Sequence, residues 1–69
     1  MSMENLNYTE DRKALGTVHT LFSVDEYYHV RRKKDGKTDF RFVLVSNTKN
    51  GSREYEIEES QIPKDIKPL

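Results

Sequence analysis

In the middle of the chain, large apolar residues recur at every second position: Tyr28 and Val30, then Phe40, Phe42 and Leu44, then Tyr55 and Ile57. A period of two is the signature of a strand with one side buried. Lys34-Asp35-Gly36 and Asn50-Gly51, both turn-forming, stand between these runs. Residues 26–58 therefore read as two β-hairpins in series.

The turns also predict a register. With Lys34, Asp35 and Gly36 as a three-residue loop and the glycine in the left-handed position of a G1 bulge, residue 33 faces 37. Val30 then faces Phe40 and Tyr28 faces Phe42, while Arg31 faces Asp39 and His29 faces Arg41. A two-residue Asp35-Gly36 turn would instead set Phe40 against Arg31 and Phe42 against His29. That mixes the faces, and such a slip is costly wherever one side is buried. A two-residue turn at Asn50-Gly51 places Leu44 opposite Ile57 and Ser46 opposite Tyr55. The two turns together predict one core of Tyr28, Val30, Phe40, Phe42, Leu44, Tyr55 and Ile57. The other side is expected to present Tyr27, His29, Arg31, Asp39, Arg41, Val43, Val45, Glu54, Glu56 and Glu58.

Residues 15–22, with Val18, Leu21 and Phe22, suit a first strand. A turn at 23–26 then carries Leu21 to the core beside Tyr28, and Phe22 and Val18 to the Tyr27 side. Residues 24–34 admit a helix, because Ser23 to Glu26 has a capping-box pattern and Gly36 follows a basic run. The fold would then be β-α-β-β. Tyr27, Tyr28, His29 and Val30 are poor helix formers that suit a strand, and the agreement of the two turns favours strands. The expected fold is mainly β: a small antiparallel meander of three to four strands, as an SH3-like or OB-like half-open barrel. Residues 1–13 are polar and aperiodic and read as a flexible N-terminal arm, with at most one helical turn at 9–14. Residues 14–62 form a single β domain, and 63–69 a C-terminal tail with a short 3₁₀ or extended start.

At 69 residues the chain holds one domain, and one of this size buries only about 60% of its unfolded surface. Twelve basic residues balance twelve acidic ones. Neutrality argues against a nucleic-acid mimic and against a general polyanion binder, so any electrostatic function is local. There is no cysteine, which excludes disulfides, zinc ribbons and thiol chemistry and points to an intracellular, cytoplasmic setting. Neither a membrane-spanning run nor a signal-peptide pattern is present.

Outside the predicted core, Phe22, Tyr27, His29, Arg41, Val43 and Val45 make a candidate protein-binding patch. Two alternatives use the same residues: completion of a barrel core, or a sheet-to-sheet homodimer. Arg31, Arg32, Lys33, Lys34 and Lys37 crowd the first hairpin's tip with Arg41 behind, a candidate nucleic-acid ribbon. Glu54, Glu56, Glu58 and Glu59 line the third strand. Alternating acids there protect an edge from pairing more often than they bind a metal, so no metal or other cofactor is expected. His19 and His29 point to opposite sides of the sheet and cannot act as one acid–base pair. With no nucleophile elbow or phosphate loop, no enzymatic activity is expected.

The basic hairpin, the meander and the trailing Ser60-Gln61-Ile62-Pro63 turn resemble SH3-type small barrels, including short chromatin proteins of that shape, over residues 15–62. The resemblance is one of pattern and implies a fold without site residues. The expected function is a non-catalytic binding module: an accessory regulator or inhibitor holding a larger intracellular protein by its outer sheet face or an edge strand. The alternative is nucleic-acid binding by the basic tip 31–37.

Overall fold

The computed structural model describes residues 8–68. It is a four-stranded antiparallel meander in the order β1-β2-β3-β4, with β1 at Tyr8–His19, β2 at Ser23–Lys34, β3 at Lys37–Thr48 and β4 at Gly51–Ile57. Residues 24–34 are strand throughout. Of the expected arm, residues 1–7 lie outside the described residues, while 8–13 are the first half of β1 rather than loose chain or a helical turn. The cause is pairing. Glu10 stands opposite Arg32 and Asp11 opposite Arg31, so opposite charges on neighbouring strands supply what apolar periodicity does not.

The first hairpin turn is the two-residue Asp35-Gly36 form, since Lys34 pairs with Lys37. Asp35 lies at φ 52° and Gly36 at φ 79°, and positive φ at both central residues is what a type I′ turn requires. This corrects the three-residue loop and moves the register by one residue: Val30 faces Arg41, His29 faces Phe42 and Arg31 faces Phe40. The single predicted core is thereby split. Tyr28 and Val30 share a side with Val43 and Val45, the valine face. Phe40, Phe42, Leu44, Tyr55 and Ile57 share the other with Tyr27 and His29, the aromatic face.

In the second hairpin Thr48 pairs with Gly51 across Lys49 and Asn50, and Leu44 faces Tyr55. Positive φ falls on Gly51, at 127°, rather than on the first turn residues. The loop differs from the expected Asn50-Gly51 pair, yet the partners move by two residues. A shift of two preserves sidedness, so Leu44, Tyr55 and Ile57 stay together.

The buried centre is small: Val30 at 2% exposure, Val43 at 6% and Tyr27 at 7%. The two valines lie on one side and the tyrosine on the other. β1 carries a bulge between Ala14 and Gly16, which increases local twist. After β4, Glu59–Gln61 form a 3₁₀ turn, in which the Glu58 N–H donates to Gln61 Oε1 at 2.9 Å. The chain then returns to the β1 edge, where Lys67 bridges Thr17 through two backbone hydrogen bonds of 2.9 and 3.1 Å. The sheet is thus an open meander joined edge to edge by one bridge. Among the described residues, no helix is long and apolar enough to cross a membrane.

Candidate functional site

Three surfaces carry the side chains with chemical possibilities. The first is the turn between β1 and β2. The Thr20 N–H donates to the Ser23 carbonyl at 2.9 Å. Thr20 Oγ1 accepts from the N–H groups of Ser23 at 2.9 Å and Phe22 at 3.2 Å. A threonine hydroxyl that satisfies turn amides in this way holds the reversal in one conformation. Leu21 and Phe22 lie at its apex, 95% and 84% exposed. Leu21, expected in the core beside Tyr28, is the most exposed large apolar residue described, because the strands end in a tight turn at Thr20 and not at 23–26. The Lys49-Asn50 turn lies alongside, and Leu21, Phe22, Thr48, Lys49 and Asn50 line a shallow depression there.

The second surface is the valine face. Its floor is Val30 and Val43, and its walls are Glu10, Arg12, Arg32, Arg41, Glu54 and Glu56. Arg12 donates through Nε to Glu10 at 2.9 Å and through Nη2 to Glu54. Arg41 binds Glu56 at 2.7 Å, and Asp39 lies 3.2 Å from Arg32 and 3.5 Å from Arg41. Arg12, Arg32 and Arg41 thus border the two valines, so long polar side chains with hydrocarbon stems enclose this apolar surface without an apolar residue. Hydrogen bonds from Tyr8 and then Arg12 hold the Glu10 carboxyl below the usual range. The same bond raises the Tyr8 phenol. Arg12 also sits 6.0 Å from the Tyr28 ring centroid. Burial pushes the Tyr28 phenol up, with Glu26 adding to the effect.

The third surface is the aromatic face. His29 stacks on Phe42 with centroids 4.8 Å apart and planes at 28°, and on Phe40 at 5.5 Å and 13°. Arg31 donates to Asp11 Oδ2 at 2.6 Å. Tyr27, further along β2, has its phenol raised by burial first and by the charge of Asp25 second.

The expected binding patch is not one surface. Phe22 is at the turn apex, Tyr27 and His29 lie on the aromatic face, and Arg41, Val43 and Val45 lie on the valine face. Tyr27 and Val43 are buried, so that part of the set is packing. The one-residue register change is the reason. The basic cluster is divided in the same way: Arg31 and Lys33 fall on the aromatic face, Arg32, Lys34, Lys37 and Arg41 on the valine face. Arg31, Arg32 and Arg41 are engaged by carboxylates. Glu54 and Glu56 point to the valine face as arginine partners, while Glu58 and Glu59 lie beyond β4. His19 pairs with Val24 on the valine face, opposite in side to His29.

Sequence reasoning missed the exposure of Leu21 and the His29–Phe40 stack. The first was legible in Thr20 and Ser23, two hydroxyl residues bracketing Leu21 and Phe22. The second followed from the two-residue reading of Asp35-Gly36. In comparison with known proteins, no family model matches the chain, nor does any curated protein or solved structure.

Proposed function

We propose that the protein is a non-catalytic binding module that docks on a larger intracellular protein by inserting Leu21 and Phe22 into an apolar pocket, as an accessory regulator or inhibitor. The observation that carries this reading is the near-complete exposure of two large apolar side chains on a hydrogen-bonded turn. A mobile loop would lose conformational freedom on binding; one already fixed by Thr20 loses little, so more of the burial energy appears as affinity. Full burial of each side chain contributes about 1.5–3 kcal/mol, enough for two adjacent anchors to dominate a small interface. The anchor is a turn apex, in place of the sheet face or edge strand expected from sequence.

The test places a photoreactive group at position 22 in the native cell, identifies the crosslinked protein and measures binding with purified components. Leu21→Ser and Phe22→Ser are surface changes expected to leave unfolding midpoints nearly unchanged, while weakening the complex by a factor of ten or more, about 1.4 kcal/mol. Equal affinity of both variants for the identified partner would overturn the assignment.

A further inference from the structure

The two sides of the sheet differ in charge although the chain as a whole is neutral. On the valine face five acidic residues, Glu10, Glu26, Asp39, Glu54 and Glu56, meet five basic ones. The aromatic face has Lys13, Arg31, Lys33 and Arg53 against only Asp11 and Asp25. Both of those acids are occupied: Asp11 accepts from Arg31 at 2.6 Å and Asp25 from Ser23 Oγ at 2.9 Å. An excess of positive charge therefore lies on the side that carries the stacked rings.

The rings have an order. Phe42, His29 and Phe40 form a row of near-parallel planes, and Phe40, at the outer end, is 60% exposed. Its register partner is Arg31, and that of His29 on β1 is Lys13. Lys33 follows Arg31 two residues along the same strand side. The row thus ends in an open aromatic plane flanked by cations, and a planar ring added beyond Phe40 continues the stack. We propose that this face is a stacking platform for single-stranded nucleic acid, with a base on Phe40 and backbone phosphates on Lys13 and Lys33. Successive bases offer flat faces and successive phosphates offer negative charge, matching both features at once. An acidic peptide would engage the cations and leave the open ring unused. The site is separate from the Leu21–Phe22 turn and does not depend on it. It also differs from a basic hairpin tip, because Lys34 and Lys37 point to the opposite side.

The test is fluorescence anisotropy of the full chain with labelled oligothymidylate, oligouridylate and a duplex, each about 12 nucleotides long, within the usual span of such sites, at low ionic strength. Both single strands are expected to bind in preference to duplex. Phe40→Ala is expected to weaken binding about tenfold, as loss of one base stack does, and Phe40→Trp to restore it. Replacing Lys13 and Lys33 by Gln should lower the salt dependence. The same change at Lys34 and Lys37 should have little effect. Absence of binding, equal affinity for duplex, or an unchanged Phe40→Ala variant would overturn the proposal. So would equal losses from the two lysine pairs. Loss of self-association in Phe40→Ala without loss of oligonucleotide binding would assign the face to a second copy of the chain and overturn it as well. Leu21→Ser, which disables the turn anchor, should bind oligonucleotide as the parent does, so the two readings fail independently.

Discussion

Arg12 on β1 is hydrogen bonded to Glu54 on β4, although β2 and β3 lie between their strands. Three strand spacings amount to about 14 Å in a flat sheet, and the two residues are also offset along the strands. Their contact means that the sheet curls toward the valine face, and the arginines and glutamates close over Val30 and Val43 as the sheet bends.

The pair's own contribution to stability is small. Both side chains are substantially exposed, at 37% and 51%, and solvent screens such pairs to about 1 kcal/mol or less. A double-mutant cycle of Arg12→Met and Glu54→Gln, read by urea unfolding, should give a coupling in that range that shrinks as salt is added. A coupling of several kcal/mol would mean the pair is desolvated and the curl depends on it.

Glu10 is expected to contribute to the acid limb of stability. Its carboxyl is lowered first by the hydrogen bond from Tyr8 and then by that from Arg12. A group with a depressed folded value contributes stability above the ordinary carboxylate range and loses it as pH falls through the folded value. Urea midpoints measured across that acid range should fall less steeply in Glu10→Gln than in the parent chain, with Tyr8→Phe intermediate. Identical slopes in all three would show that other carboxylates govern the transition.

Gly16 admits no side chain. A Cβ there would stand 2.7 Å from Ile66 Cγ1 and closer still to the Lys67 carbonyl oxygen, and its φ is +154°. Gly16→Ala should therefore detach the returning segment and cost about 1–3 kcal/mol. Hydrogen exchange localises the effect: the Thr17 amide, which donates to Lys67 at 2.9 Å, should lose protection while the amides of β2 and β3 keep theirs. Unchanged protection at Thr17 would show that the tail adjusts without leaving.

The strands and their order were legible because alternation and turn residues are local signals. The sides were not, and the difference rests on Asp35-Gly36. Taken alone, Asp-Gly favours a two-residue type I′ turn. The three-residue alternative gathers Tyr28, Val30, Phe40, Phe42, Leu44, Tyr55 and Ile57 on one side and leaves the charged residues on the other. Such a core requires apolar surface to be covered only by apolar residues. In the structure Arg41 stands opposite Val30 and donates to Glu56 at 2.7 Å, so an arginine stem serves as the cover. His29 likewise serves as an aromatic partner to Phe40 and Phe42. Residues 8–13 read as arm rather than strand for a related reason. Their pairing signal lies in Asp11 and Arg31, twenty residues apart, and local periodicity does not register it.

The register makes a ranking that stability measurements can check. If Val30 and Phe40 shared one core, truncating the larger side chain would cost more, because Phe→Ala in a core costs about 3–5 kcal/mol. The structure reverses the order. Val30 is enclosed at 2% exposure, whereas Phe40 is 60% exposed and touches His29 by stacking. Val30→Ala removes two methylene equivalents from an enclosed side chain, a loss of about 2 kcal/mol. Phe40→Ala forfeits one stacking contact and little burial, about 1 kcal/mol or less. In a domain this small each kcal/mol moves the thermal midpoint by about 4–8 °C, so the two variants separate clearly in a melting experiment. A larger drop for Phe40→Ala than for Val30→Ala would place Phe40 in the packed centre and restore the three-residue turn.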